Sequence, residues 1–469
     1  MSAADRGRDG RAGRLAGPSG LATAARRKRA GPWVGSRTVL GPAAGRRRRQ
    51  RPAARRGTPT RRRAGYRAAV RPAHPAPITS PDELALEVHA LGLAHGLDAI
   101  GIASAEPLLR ARAALEERKA AGLHAGMAFT YRRPVRSTTP SELVEGAAAI
   151  VVGARRYESI VPPRPDARGP YGAVARYAWT DHYGPLKEAL GAVAAHLRRN
   201  GYRARVLADD NGLVDREVAH RAGLGWFGKN ANLLRPGAGS WFVLGSVVTS
   251  APLPVNEAPV ADRCGACRRC IDGCPTAAIV APGVIDAGRC LAWLVQAPGT
   301  FPRAHREALG ARIYGCDDCQ EVCPPNQRAD TARVRARPAG QEPAGDPGRI
   351  EAWVSLLDLL GTDDETLMAR HGRWYVAGRD PRWLRRNALI AVGNVADPAD
   401  PDVASALARY LGDQDPMLRA HAVWACRRLG REDLLDALVG TDEPEVAEEL
   451  AAPSPTPAQA RRQSARGGA

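Results

Sequence analysis

Eight of the nine cysteines lie between Cys264 and Cys323, and their spacing selects the chemistry open to them. Cys264, Cys267, Cys270 and Cys274 follow as C-x2-C-x2-C-x3-C, with Pro275 behind the last. A tight loop of that spacing offers three thiolates to three irons of one cubane, while the fourth thiolate points to a neighbouring cluster. Cys316, Cys319 and Cys323, followed by Pro324, repeat the run one cysteine short, and Cys290 stands between the two. Eight thiolates fill two four-thiolate sites, so two [4Fe-4S] clusters are expected. Crossing of the fourth ligands assigns Cys264, Cys267, Cys270 and Cys323 to one cluster. Cys274, Cys316 and Cys319 form the other, with Cys290 as the replacement member. Structural zinc also suits CxxC pairs, but it does not require two C-x3-C-P endings. Cys426, between Trp424 and Leu429, reads as a core residue.

Paired clusters move single electrons and leave the long segments on either side unexplained, so an acceptor site is implied. The most unusual stretch is Asp209-Asp210-Asn211-Gly212-Leu213-Val214-Asp215-Arg216, followed by Ala222-Gly223-Leu224-Gly225-Trp226-Phe227-Gly228-Lys229-Asn230. An acidic strand end opens a helix, and a glycine-rich turn follows. Glycines let backbone approach a flat ligand closely, and an Asp beside it could deliver a proton. The same Asp also reads as a helix cap.

The elements that must hold these residues are legible in outline. Ser80-Pro81-Asp82-Glu83 is a helix start with Leu84, Val88 and Leu91 on one face, and Gly92 and Gly96 mark its end. Strands are expected at 97–103, 148–153, 203–207 and 241–249, and helices at 185–198 and 214–222. The fold class is α+β. An α/β-type acceptor domain spans 78–255, a two-cluster ferredoxin-like domain 256–327, and an all-α HEAT-like domain 350–450. The last rests on Leu384-Arg385-Arg386-Asn387-Ala388-Leu389 and Leu418-Arg419-Ala420-His421-Ala422-Val423, two copies of one pattern.

The formal charge of +19 belongs to the tail. Residues 1–80 hold 21 basic and 2 acidic residues, leaving 47 of each sign elsewhere. Residues 1–77 and 451–469 are expected to be disordered, because they lack the apolar content that offsets ordering entropy. No apolar run spans a bilayer and no export signal is apparent, so a cytoplasmic, membrane-free protein is expected. Arg379, Arg382, Arg385 and Arg386 form a basic cluster that reads either as a solvated face or as a phosphate contact.

The Asp-x5-[Asp/Glu]-Arg run before Ala-Gly-Leu-Gly-Trp-x-Gly-Lys, the eight-cysteine frame, Tyr314-Gly315-Cys316-Asp317-Asp318-Cys319-Gln320 and the late Leu-Arg-Arg-Asn-Ala-Leu stretch occur in this order. Together, over about 78–450, they resemble epoxyqueuosine reductase. The resemblance implies reduction of epoxyqueuosine to queuosine at the wobble position (34) of tRNAs for Asp, Asn, His and Tyr. It also implies cobalamin (vitamin B12) beside the clusters, an external low-potential electron donor, a helical domain that holds tRNA, and a monomer. Carried across, the proton-donating Asp is Asp209, with Asp210 as its rival if the register slips. The cobalamin would lie among Arg136, Tyr177, Asp209, Leu233, Leu244, Asp317 and Asp318. The mechanism implies a partly buried Asp209 with a raised pKa. Competing readings are a corrinoid-dependent reductive dehalogenase-like enzyme and a simple two-cluster electron carrier.

Overall fold

The computed structural model describes residues 80–455, apart from 158, 166–168, 256–259, 337–349 and 439. They belong to one compact unit that begins at His74. The expected tail at 1–77 lies outside the described residues, as do 456–469. The first residues of the expected C-terminal tail, 451–455, are described, with Ala451 closing a helix and Ser454 Oγ accepting from Arg427.

The first helix, Pro81–Ala94, starts where Ser80 Oγ accepts from the Glu83 N–H at 3.1 Å. Leu84 and Val88 are buried beneath it. Gly92 does not end the helix. It sits inside it, where a Cβ would come within 2.7 Å of the Ile100 side chain. The chain reverses at Gly96 instead, at a φ of +88°.

Among the described residues seven strands precede the cysteines: β1 (Ala99–Ser104), β2 (Ala149–Arg156), β3 (Tyr171–Val174), β4 (Ala204–Ala208), β5 (Trp226–Phe227), β6 (Leu233–Leu234) and β7 (Phe242–Thr249). Four of them form one sheet in the order β1-β2-β7-β4, antiparallel at every pairing. Apolar side chains alternate between its faces, as the strand period requires. Val151, Val243 and Val247 pack under the helices Pro81–Ala94 and Tyr183–Arg199. Ile150, Val152 and Val248 pack on the other face with Val218 and Ala219 of the helix Asp215–Arg221.

Four short strands follow: β8 (Ile279–Ala281), β9 (Val284–Ile285), β10 (Arg312–Tyr314) and β11 (Trp353–Ser355). β3, β10 and β11 make a second sheet in the order β10-β3-β11, drawing one strand from each of three distant segments. Helices then run at Leu356–Gly361, Arg382–Val395, Pro401–Leu411, Pro416–Leu429 and Pro444–Ala451. Asp400 and Asp415 cap the third and fourth of these, each with Pro at the first helical position. Leu384 and Leu418 are buried in one continuous core that also takes in Trp179, Leu291 and Ile313. The helical repeat is therefore packed into the cysteine segment rather than set apart from it. Among the described residues no helix is long and apolar enough to cross a membrane.

Candidate metal centre and active site

The thiols fall into two neighbourhoods. Cys270 lies within electrostatic reach of Cys264 and Cys267, and Cys323 within reach of all three. Cys319 interacts with Cys290 and Cys274, and more weakly with Cys270, while Cys316 interacts with Cys290. Burial, with the neighbouring thiols adding to it, pushes the Cys323 thiol up to about 11. Burial likewise raises Cys270, Cys290, Cys316 and Cys319. Such groups ionise only against a compensating cation, as metal-bound cysteines do. Among the described residues no three His, Cys, Asp or Glu side chains converge on a point where one metal ion would sit.

Two residues of the glycine-rich turn clamp the cysteine loops. Lys229 Nζ donates to the carbonyls of Gly265 (2.6 Å) and Cys267 (2.9 Å), holding the first loop. Asn230 Nδ2 donates to the Cys319 carbonyl at 3.2 Å, holding the second. The glycines before them serve protein packing. A Cβ on Gly225 would stand 2.2 Å from the Leu234 carbonyl oxygen, and one on Gly228 would meet Asn230 and Leu234. Their expected role as an approach surface for a flat ligand is replaced by close packing on β6. The sequence signal was present in the Gly-Lys-Asn run, but its partners are far along the chain.

Asp209 directly follows β4 with a φ of +52°, a left-handed conformation that costs energy without glycine. Its side chain is exposed, not partly buried as expected. Asp210 is committed elsewhere, since its Oδ1 accepts from the Gly212 N–H at 2.7 Å. That turn is tied down by Ser137 Oγ, which donates to the Asn211 carbonyl at 2.7 Å. The buried carboxyl of the run is Asp215, at the start of the helix Asp215–Arg221. Desolvation raises its pKa well above the usual value. Arg216 opposes the rise, and Asp209 and Asp210 add to it. Its Oδ1 is buried with no hydrogen-bond partner among the described residues. Arg216 also lies within electrostatic reach of Cys290, Tyr157 and Tyr183, so one guanidinium feels both the acidic run and the second thiol group.

Three tyrosines close this neighbourhood. Tyr183 lies within reach of Asp209 and Asp215 and is raised by burial. Tyr314 is pushed up to about 12, chiefly by burial, with Asp209 and Arg379 among its charged neighbours. Tyr177 packs against Tyr314 at 6.1 Å between ring centroids, and burial raises it.

The remaining expected contacts are distributed unevenly. Arg136 is exposed on the short helix Pro134–Ser137, whose Ser137 holds the Asp209 turn. Leu233 and Leu244 are buried in the apolar core with Leu207 and Val218, so their side chains are spent on packing. Asp317 accepts from the Arg176 backbone N–H at 2.8 Å and from its guanidinium at 3.3 Å, a buried pair. Asp318 pairs with Arg312.

The basic cluster of the helical segment is corrected more sharply. Arg386 is 1% exposed and donates to the carbonyls of Leu294, Ala297 and Gly299. It is a structural tie and cannot meet a phosphate. Arg382 pairs with Asp380 and Asp415, and Arg385 with Asp364, around a groove that also holds Asp413. Four carboxylates there offset the guanidinium charge. Of the three that reach the surface, Arg379 is the one with no carboxylate within salt-bridge distance among the described residues, whereas Arg382 and Arg385 are paired.

Comparison with known proteins decides the family. The chain is 32% identical over 378 residues to the epoxyqueuosine reductase of Bacillus cereus, covering 79% of this chain and 95% of that one. It is 34% identical over 364 residues to that of Xanthomonas campestris, covering 75% and 97%. The chain belongs to the epoxyqueuosine reductase family. It is thus an oxidoreductase, with residues 263–326 matching the 4Fe-4S double cluster binding domain and 375–452 matching HEAT repeats. The double-cluster match makes both [4Fe-4S] centres part of the protein. Among solved structures, an epoxyqueuosine reductase with an epoxyqueuosine-modified tRNA-Tyr stem loop superposes with a TM-score of 0.69 at 28% identity. That match covers 78% of this chain and 97% of that one. The Bacillus subtilis enzyme, recorded with its catalytic Asp loop swung out of the active site, matches with a TM-score of 0.67 at 28% identity, covering 78% and 97%.

Proposed function

We propose that this protein reduces epoxyqueuosine to queuosine at the wobble position of the tRNAs for Asp, Asn, His and Tyr. It would act in the cytoplasm as a monomer supplied by an external low-potential donor. The observation that carries this reading is that Arg216 lies within electrostatic reach of both Cys290 of the second thiol group and Asp215, whose own charged neighbours include Asp209. Converting an epoxide to an alkene releases its oxygen as water and consumes two electrons and two protons. Side chains cannot supply the electrons, so a redox centre must lie within reach of the acid.

Cys264, Cys267, Cys270 and Cys323 would hold one [4Fe-4S] cluster, and Cys274, Cys290, Cys316 and Cys319 the other. Lys229 and Asn230 fix both loops, which keeps the distance between the clusters constant. The residues around Asp209 fit a cobalamin. Tyr177 offers a half-buried aromatic face, and the unpartnered Asp215 Oδ1 is a buried polar atom awaiting a donor. When bound, the corrinoid would supply low-potential electrons to the epoxide carbon. Arg136, Tyr177, Leu233, Leu244, Asp317 and Asp318 would line it. The two leucines and the two aspartates would contribute backbone, since their side chains are engaged elsewhere. Asp209, exposed and strained into a left-handed conformation, would protonate the departing oxygen.

The test is anaerobic turnover of an epoxyqueuosine-containing stem loop, followed by mass spectrometry of its nucleosides. Asp209→Asn should keep iron and corrin content and lose at least about 100-fold in turnover, the usual contribution of a positioned acid. Unchanged turnover would move the acid elsewhere. Failure of the reconstituted wild type to take up cobalamin would overturn the reading.

A further inference from the structure

Tyr375 is 49% exposed, and with Phe129 it is one of two exposed large aromatic rings among the described residues. Its neighbours in sequence, Trp374 and Val376, are almost fully buried. The turn that carries it is therefore nailed down on both sides while its ring is left in solvent. Trp374 stacks on Tyr314 with 5.1 Å between centroids and an interplanar angle of 10°, and on His371 at 4.3 Å. The Trp374 Nε1–H donates to the Ala178 carbonyl at 3.1 Å, and the Tyr314 hydroxyl donates to the Tyr375 carbonyl at 3.1 Å. Gly378 and Arg379 both adopt positive φ, 64° and 57°, and this brings the Arg379 guanidinium over the Tyr375 ring at 5.6 Å. For Arg379 such a backbone is strained, so the surrounding packing holds the side chain where it is.

The position of this pair matters. Tyr314, which holds Tyr375 from below, has both Asp209 and Arg379 among its charged neighbours. Arg373, Arg382 and Arg385 are paired with Glu351, Asp380 and Asp364, whereas Arg379 donates to the Gly372 carbonyl and keeps its charge. A rigid, exposed ring beside a guanidinium with no carboxylate partner is a device by which proteins hold an unpaired nucleobase, with a π face stacking and the cation meeting the adjacent phosphate.

We propose that Tyr375 and Arg379 form a stacking platform for a single-stranded nucleotide that flanks the modified one in the anticodon loop, fixing the register in which that loop presents its epoxide to Asp209. The inference rests on the function proposed above and deepens it. It assigns recognition of a neighbouring base to a tyrosine that no motif marks.

The experiment uses the reconstituted full chain and fluorescence anisotropy on an anticodon stem loop. Parallel stem loops are made abasic at one or the other nucleotide flanking the modified position. Tyr375→Ala should weaken binding of the intact loop by roughly 10-fold or more, the range of one lost base stack. Its effect should vanish on one of the two abasic loops, because the missing base has nothing to stack. Tyr375→Phe should bind as the wild type does, since the ring and not the hydroxyl makes the contact. Arg379→Gln should weaken binding and flatten its salt dependence. In turnover the loss should appear in KM more than in kcat, with iron content and visible spectrum unchanged. Binding within twofold of wild type for both Tyr375→Ala and Arg379→Gln would overturn the proposal. So would an equal loss on intact and both abasic loops, or a loss seen only in donor-driven reduction, which would make the surface a docking site for the reductant. These readouts are binding constants, so they stand apart from any failure of the wild type to reduce epoxyqueuosine.

Discussion

Arg386→Met separates stability from tRNA recognition in the helical segment. The guanidinium is buried to 1% exposure, and burial lowers its pKa to about 9, so it still carries its proton at neutral pH. It donates to the carbonyls of Leu294 at 2.8 Å, Ala297 at 2.8 Å and Gly299 at 2.6 Å, and to Asn387 Oδ1 at 2.9 Å. Methionine fills much of the volume but returns none of these bonds. The Leu294 carbonyl is left buried without a donor, at about 1–3 kcal/mol. The Ala297 and Gly299 carbonyls lie nearer solvent and each lose about 0.5–1.5 kcal/mol. Relief from desolvating a charge offsets part of this, leaving a net loss on the order of 3 kcal/mol. Thermal unfolding should therefore shift down by several degrees, with stem-loop affinity measured well below the transition staying within about twofold of wild type. A variant that unfolds at the wild-type temperature yet binds tRNA weakly, with a shallower salt dependence, would refute the reasoning and return Arg386 to the phosphate contacts.

Two further outcomes follow from the same geometry. Cys323→Ser and Cys290→Ser should each cut iron from about eight to about four per chain after anaerobic reconstitution, whereas Cys426→Ser, buried in the helical core, should leave it unchanged. Asp215 gives a pH dependence whose sign is fixed by its raised pKa. Above the ordinary carboxyl range the unfolded chain releases a proton that the folded chain keeps, so folding stability falls as pH rises toward the folded pKa. Asp215→Asn has no such proton, and its unfolding midpoint should exceed that of the wild type by more at pH 7 than at pH 5. A gap that narrows or reverses over that range would place a stabilising charge on Asp215.

Local order was the legible part of the fold. The Ser80 cap, the Pro-led helices after Asp400 and Asp415, and the alternating strands around Val151 and Val247 are written in neighbouring residues, because caps and periodicity act over a few positions. The helix end at Gly92 was misplaced for a related reason. Glycine is permitted at a helix end, but here it is required by a side chain eight residues later that packs against it. At the site, the cysteine frame and the acidic run stand out by spacing, yet nothing local distinguishes Asp209, exposed, from Asp215, buried. Burial depends on what the rest of the chain lays over a residue.

By itself, then, the order of the amino acids marked out the eight-cysteine frame, where helices begin, and to which family the chain belongs. Only the folded chain decided what the polar side chains do. Lys229 reaches Gly265, Arg176 meets Asp317, and Arg386 binds Leu294, pairs 36, 141 and 92 positions apart. A short spacing is constrained by backbone geometry and can be read directly. Partners separated by tens of residues meet only after the chain has folded, so an arginine in a basic run shows its role as tie, ion pair or ligand only in the packed molecule.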